Sequence, residues 1–254
     1  MEQQNRYQPI SEAAFRARLN DGAKLRGIEL RDADLTETVV SGISLRECRF
    51  INVAFSRSQW EEARCTACAF ARCAWEGATW ASARLTRCDF FDAEASQGCS
   101  FAGAHLRFAT FTECTLDTCV FEGADLYGLT LRDCRATGAK LHTASFDDLA
   151  TLTGNVLRYA DLRGAHLAGC DLSKNDLEWA ILDEANLDRA TLRDASLNRT
   201  SLRATSLREA DLRNANLGGL DVRMTDVRGA LVLESQLPQL AEALGLVIAP
   251  EPLR

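Results

Sequence analysis

The stretch EANLDRATLRDASLNRTSL, Glu184–Leu202, carries leucine at Leu187, Leu192, Leu197 and Leu202. A small residue stands two places before each: Ala185, Ala190, Ala195 and Thr200. An amphipathic helix repeats its apolar face every three to four residues and a half-buried strand every two. A period of five fits neither, so these leucines do not share one face of a regular element.

The period extends in both directions. One block runs from Leu25 to Phe90, a second from Phe101 to Phe146, and a third from Leu152 to Val232. Phe90 to Phe101 and Phe146 to Leu157 are each eleven residues, which reads as two repeats plus one extra residue. Register shifts are therefore expected near 91–100 and 147–151, with no long projecting loop. Around each central apolar residue i, position i−2 is small, i−1 is often Asp, Asn, Ser or Thr, and i+1 and i+2 are mostly polar. Alternation along a short extended piece sends i−2 and i one way and i−1 the other. The remaining two residues must turn a corner, and repeated corners wind the chain into a solenoid.

Repeats such as ADLRG (160–164), ANLDR (185–189), ATLRD (190–194) and ADLRN (210–214) resemble the pentapeptide repeat family. The resemblance covers Leu25 to about Val232 and implies an all-β fold, a right-handed quadrilateral β-helix with four pentapeptides per coil. That gives about ten coils and a rod about 50 Å long at the usual strand spacing. The chain then divides into an N-terminal segment with a capping helix (1–24), the β-helix (25–232), and a C-terminal helix and tail (233–254).

Residues twenty apart should stack. Phe50, Phe70 and Phe90 then form an aromatic ladder, Phe55 stacks with Trp75, Trp60 with Trp80, and Phe101 with Phe121. Nine of the ten cysteines occupy i−2, and Cys65 occupies i. All read as small buried apolar groups. Parallel inward side chains are poorly aimed for disulfides, and no second ligand pair follows Cys65 and Cys68 at zinc-like spacing. Neither metal nor cofactor is expected. Ten unpaired thiols point to a reducing compartment, hence the cytoplasm.

A solenoid needs lids for its exposed ends. SEAAFRARLNDG (11–22) reads as a short helix with Ser11 as N-cap, Glu12 in the first turn, Phe15 and Leu19 on one face, and Gly22 after the last turn. SQLPQLAEALGLVIAP (235–250) reads as a second helix, capped by Ser235, with Pro238 in its first turn and Gly245 at its end. Leu237, Leu240, Ala241 and Leu244 form its apolar stripe. This end either folds onto its own rod or meets a second copy, with Leu246, Val247 and Ile248 as an added strand. LAEALGLVI (240–248) resembles the C-terminal segment of the quinolone-resistance pentapeptide proteins. That resemblance implies a homodimer contact through Leu237, Leu240, Ala241, Leu244, Leu246 and Ile248. It also implies imitation of duplex DNA toward DNA gyrase or topoisomerase IV.

Little in the pattern supports catalysis. The interior is closed by Leu, Phe, Trp, Ala and Cys, and no Gly-rich phosphate loop links a strand to a helix. His105 and His166 fall at i−1 and His142 at i+1, all outward. An enzyme would need a pocket built around His142 or His166, and a non-enzyme is expected. The net charge of −7 argues against direct nucleic-acid binding, and no apolar run approaches a membrane span.

Function must then lie on the outer surface. The arginine stacks 193/213, 203/223 and 208/228 are interleaved with acids and read as a soluble face. DLSKNDLEWAILDEANLD (171–188) stands apart. Asp171, Asp176, Glu178, Asp183, Glu184 and Asp188 face a single Lys174, with Trp179 outward at i+2. A charged belt around an exposed tryptophan fits a protein contact. Two partners are compatible with it. One is a type II topoisomerase, protected from a drug or toxin. The other is a component of a bacterial secretion system, served by a structural adaptor.

Overall fold

The computed structural model describes residues 7–19 and 22–249. The chain winds as a right-handed solenoid whose coils pair in parallel. Four faces are marked by the columns that begin at Leu25, Leu30, Leu35 and Val40. The first face is a seven-stranded parallel sheet from Lys24–Arg26 to Thr151–Thr153. Its central column runs Leu25, Leu45, Cys65, Leu85, Phe111, Leu131 and Leu152. Strand pairing thus makes about seven turns, fewer than the ten coils expected. Beyond Thr153 the ladder continues as single bridges, from Thr151↔Asp171 as far as Asp211↔Leu231.

The geometry of one repeat explains the period. In most repeats the i−2 amide donates to the preceding i carbonyl, as from Ala185 to Leu182 and from Ala190 to Leu187, both at 3.0 Å. The corner residue i+2 is left-handed, with φ of 62° at Glu184 and 58° at Arg189. Together these define a type II turn. One extended residue, i−1, is left to bridge to the next coil. Five residues therefore make one side of a square.

The first-to-second corner differs in the N-terminal coils. Its i−2 amide points inward and is met by the i−2 side chain of the next coil. Cys88 N donates to Cys114 Sγ (3.4 Å), Cys114 N to Cys134 Sγ (3.3 Å), Cys134 N to Asn155 Oδ1 (2.9 Å), and Asn155 N to Asn175 Oδ1 (2.7 Å). Ala195 N has the ordinary turn bond to Leu192, and there the Cys/Asn column ends. The cysteines are thus more than small apolar fillers: sulfur supplies an acceptor that alanine lacks. All ten thiols are free and buried. Burial pushes Cys65, Cys73 and Cys119 well above the ordinary thiol range and Cys170 up to about 12.

The expected aromatic ladders are present. Ring centroids lie 5.1 Å apart for Phe50–Phe70, 4.8 Å for Phe70–Phe90, 4.0 Å for Phe55–Trp75, 4.8 Å for Trp60–Trp80 and 5.0 Å for Phe101–Phe121. The tryptophans are not equivalent. Trp60 Nε1 donates to Ser58 Oγ at 2.9 Å, while Trp75 Nε1 and Trp80 Nε1 are buried without an acceptor. A buried unpaired N–H costs about 1–3 kcal/mol. Trp75→Phe should therefore be better tolerated than Trp60→Phe by about 1–2 kcal/mol in chemical denaturation. Equal costs would count against this assignment.

The two junctions differ from each other. At 147–151, Thr130 pairs with Thr151, twenty-one residues on, so one residue is added as expected. At 91–100, Asp89 pairs with Thr115 and Ala74 with Ser100, each twenty-six residues on, so six residues are added. The expectation of a single extra residue fails there. Phe101 follows Phe90 on the very next face, and the chain between them projects as an antiparallel ribbon of Phe91–Asp92 against Gln97–Gly98. Asp92 anchors it, accepting from the amides of Glu94 (2.9 Å) and Ala95 (3.2 Å) and pairing with Arg72 at 3.1 Å.

Both ends carry helices. Helix α1 spans Glu12–Arg16; Ser11 Oγ accepts from Ala14 N at 3.2 Å, and the Phe15 ring meets Phe50 edge-on at 5.7 Å. Asn20 and Asp21, within the expected helix, lie outside the described residues, and Gly22 is left-handed at 70°. At the other end a 3₁₀ turn, Glu234–Gln236, precedes helix α2, Leu237–Ala243. Ser235 lies inside that turn and is not the cap. Gln236 instead closes the last coil, with Nε2 donating to the carbonyls of Leu212 and Ala215 at 2.8 Å and Oε1 accepting from Leu233 N at 2.8 Å. The inward stripe is Gln236, Leu240 and Ala243 rather than the expected one; Leu237 and Leu244 face outward. Among the described residues no helix is long and apolar enough to cross a membrane.

Candidate functional site

The belt residues circle one coil, because each repeat sends its i−1 and i+1 side chains out on a different face. Asp171 precedes Leu172 on the first face, Asp176 and Glu178 flank Leu177 on the second, Asp183 follows Leu182 on the third, and Asp188 follows Leu187 on the fourth. Trp179 and Glu184 stand at corners, both with φ of 62°. The seven residues therefore share a level and not a face.

Their charges are not equally available. Arg158 pairs with Glu178 at 2.5 Å and lies 3.5 Å from Asp176. The other aspartates are held by neutral donors. Asp171 Oδ1 accepts from Ser173 N (3.0 Å) and Oγ (2.5 Å). Asp183 Oδ1 accepts from Ser201 Oγ (2.5 Å) and Arg203 N (3.0 Å). Asp188 Oδ1 accepts from Ser206 Oγ and from Arg208 N. Among the described residues Asp183, Glu184 and Asp188 make no direct ion pair, although Asp161, then Asp183 and Glu184, raise the Arg163 pKa, and Asp226, then Asp188, raise that of Arg228.

Two of the three C-terminal arginine stacks, 193/213 and 208/228, are clipped by aspartates. Asp211 accepts from Arg193 Nε and from Arg213, and Asp226 from Arg208 Nε (2.6 Å) and Arg228. The Arg228 and Arg208 guanidiniums hold the Asp226 carboxyl far below the usual carboxylate range. Exposed pairs of this kind contribute little stability singly, but they remove these arginines as free cations.

Trp179 is 40% exposed and forms one layer of a stack. The Tyr159 ring lies nearly parallel on one side (6.5 Å, 11°) and the Arg199 guanidinium on the other (4.9 Å). Neither partner was anticipated, although the spacing of twenty predicts both. A second exposed group, Phe108 and Tyr127 with Arg107 over the Tyr127 ring at 5.6 Å, occupies the diagonally opposite corner. His142 Nε2 sits 3.0 Å from Glu122 and its Nδ1 3.8 Å from Asp161. Among the described residues no group of three His, Cys, Asp or Glu is arranged to hold a metal ion.

The C-terminal candidates divide. Leu240 packs against the core and Ala241 is half-buried. Leu237, Leu244, Leu246 and Ile248 are exposed, as is Val247 at 93%. Leu246–Ile248 runs on from the Gly245 turn without strand pairing.

The model for pentapeptide repeats matches residues 21–59, 99–135, 150–189 and 185–223, together more than half of the chain. The chain belongs to the pentapeptide repeat family. Among curated pentapeptide repeat proteins it is similar to QnrB4 of Escherichia coli and to the quinolone resistance protein QnrB96 of Scandinavium goeteborgense. Each is 37% identical over 62 residues, covering 24% of this chain and 29% of the relative. Among solved structures it resembles QnrB1, a plasmid-mediated fluoroquinolone resistance protein. One form superposes with a TM-score of 0.69 at 25% identity over 89% of this chain and 100% of that one; another gives 0.70 at 27% over 88% and 99%. The sequence match is short, whereas the pentapeptide rod corresponds over nearly its whole length.

Proposed function

We propose that this protein is a non-enzymatic, cytoplasmic protein-binding rod that occupies DNA gyrase or topoisomerase IV in place of duplex DNA and protects the enzyme from a drug or toxin. The observation that carries the reading is the correspondence of nearly the whole chain to a fluoroquinolone resistance protein. The carboxylates Asp183, Glu184 and Asp188 support it: they make no direct ion pair among the described residues and could face a basic groove in place of phosphates. The ribbon at 91–98 supports it too, since it gives the rod a projection that a partner can register against. The outward row at the C-terminal end fits a tail-to-tail homodimer of about 100 Å, double the rod length expected from strand spacing.

The test is a gyrase supercoiling assay with and without a quinolone. Wild type at micromolar concentration should inhibit or protect. The triple variant Asp183→Asn, Glu184→Gln, Asp188→Asn should lose at least tenfold in potency. Asparagine keeps the Oδ1 acceptor for Ser201 and Ser206, so the fold is retained. A wild type that neither inhibits nor protects would end the proposal. The Tyr159–Trp179–Arg199 stack favours a second reading, a structural adaptor beside a secretion system. In that case Trp179→Ala should change the set of captured proteins.

A further inference from the structure

The first face differs in charge from the rest of this acidic molecule. Over its first four levels it presents Lys24, Arg26, Arg46, Arg64, Arg84 and Arg87, all exposed. Parallel register sets Arg26 directly beside Arg46 and Arg64 directly beside Arg84. Among the described residues the only carboxylate paired to any of the six is Glu47, shared by Arg26 (3.1 Å) and Arg46 (3.4 Å). The guanidiniums of Arg64, Arg84 and Arg87 have no acidic partner among the described residues. This contrasts with Arg193, Arg213, Arg208 and Arg228, which Asp211 and Asp226 clip. Between the cations the same strands offer hydroxyls, at Ser44, Thr66, Thr86, Thr110 and Thr112.

We propose that this face is a sequence-independent contact for the phosphate backbone of duplex nucleic acid. Four observations select that partner. Guanidiniums and hydroxyls are the groups that contact phosphate oxygens. The sheet fixes their backbone spacing, about 4.8 Å between levels, so the backbone does not have to rearrange on binding. No aromatic side chain lies among the outward residues of these four levels, so the face offers no stacking platform for unpaired bases. The strip is one face wide, with Glu61 and Glu62 before one corner and Glu47 and Glu113 at the other. A duplex lying along the rod can follow such a strip, whereas an anionic lipid plane would be driven against the flanking carboxylates. The net charge of −7 excludes a molecule that is basic all round; it does not exclude a segregated strip, because screening limits repulsion from the far faces to about 10 Å at 0.1 M salt.

The proposal is independent of the topoisomerase reading, and the test uses no topoisomerase. The full chain is titrated into a labelled random-sequence 30-base-pair duplex at about 50 mM salt and upward, with anionic phosphatidylglycerol vesicles as a second arm. With roughly four phosphates neutralised, log K should fall with log salt at a slope of about −3.6. The triple variant Arg64→Glu, Arg84→Glu, Arg87→Glu should weaken duplex binding at least tenfold with an unchanged melting temperature. Arg203→Glu with Arg223→Glu, on the third face, should leave it unchanged. No duplex binding at 50 mM salt would overturn the proposal. So would binding that the first-face variant leaves intact, or vesicle binding without duplex binding.

Discussion

Asn155→Ala should destabilise the rod by about 3–5 kcal/mol, more than removing a typical core methyl group. Asn155 is 1% exposed and lies where the column of cysteines gives way to asparagines. Its Oδ1 accepts from Cys134 N at 2.9 Å, and its Nδ2 donates to Leu131 O at 2.9 Å and to Asn175 Oδ1 at 3.1 Å. Alanine leaves the Cys134 N–H and the Leu131 carbonyl buried without these partners, while Asn175 Oδ1 keeps the Asn155 N–H, and each unsatisfied group costs about 1–3 kcal/mol. Cysteine at the same place restores an acceptor of the kind used one level below, at Cys134. Asn155→Cys should therefore recover about half of the loss, because the two donor bonds stay broken. Urea denaturation of the three proteins decides the matter. A cost for alanine below about 1 kcal/mol would show that the amide is not what satisfies that corner.

The same corner marks the boundary of what could be read from the chain. Alternation and the period of five determine which side chains point inward, so the aromatic ladders and the inward cysteines were legible residue by residue. Why cysteine and asparagine stand there, and not alanine, depends on an inward amide. Only backbone geometry shows that. The projection at 91–98 was hidden for a different reason. Eleven residues from Phe90 to Phe101 fit an extra repeat with one added residue as well as one repeat with six added. The absence of a large apolar residue midway, in FDAEASQGCS, was the signal that favoured the second. Stacking of Trp75 on Phe101, at 6.0 Å and 5°, makes it plain.

The acidic belt was legible as composition but not as field. Arg158 lies eighteen and twenty residues from Asp176 and Glu178, and it reaches them only because the coil brings those levels together. Asp183 and Asp188 find serine hydroxyls at the same separation of eighteen. One offset in the coil thus produces both ion-paired and hydroxyl-bound carboxylates. Which results depends on whether an arginine or a serine occupies the facing position.

The C-terminal end carries the other large expected effect. Double substitution Leu244→Asp, Val247→Asp should convert a dimer of the 27.9 kDa chain into a monomer and raise its dissociation constant at least a hundredfold, about 2.7 kcal/mol. The 3₁₀ turn and helix α2 spend their inward side on closing the rod through Gln236, Leu240 and Ala243. The outward row is left over: Leu237, Leu244, Leu246, Val247 and Ile248 are 50%, 42%, 62%, 93% and 61% exposed. Exposed apolar side chains of this kind suit a contact surface, and a two-fold dimer would lay the row against its own copy. Because these side chains support little of the single chain, the variant should keep its melting temperature while its mass in sedimentation halves. A wild type that stays monomeric at about 100 µM, an energy near 5.5 kcal/mol, would remove the dimer. A variant that loses melting temperature together with mass would show instead that the row belongs to the lid. The distinction matters for function, because a capped monomer offers a partner one short rod. A tail-to-tail pair presents two belts related by symmetry, the arrangement that a two-fold enzyme could grip at both ends.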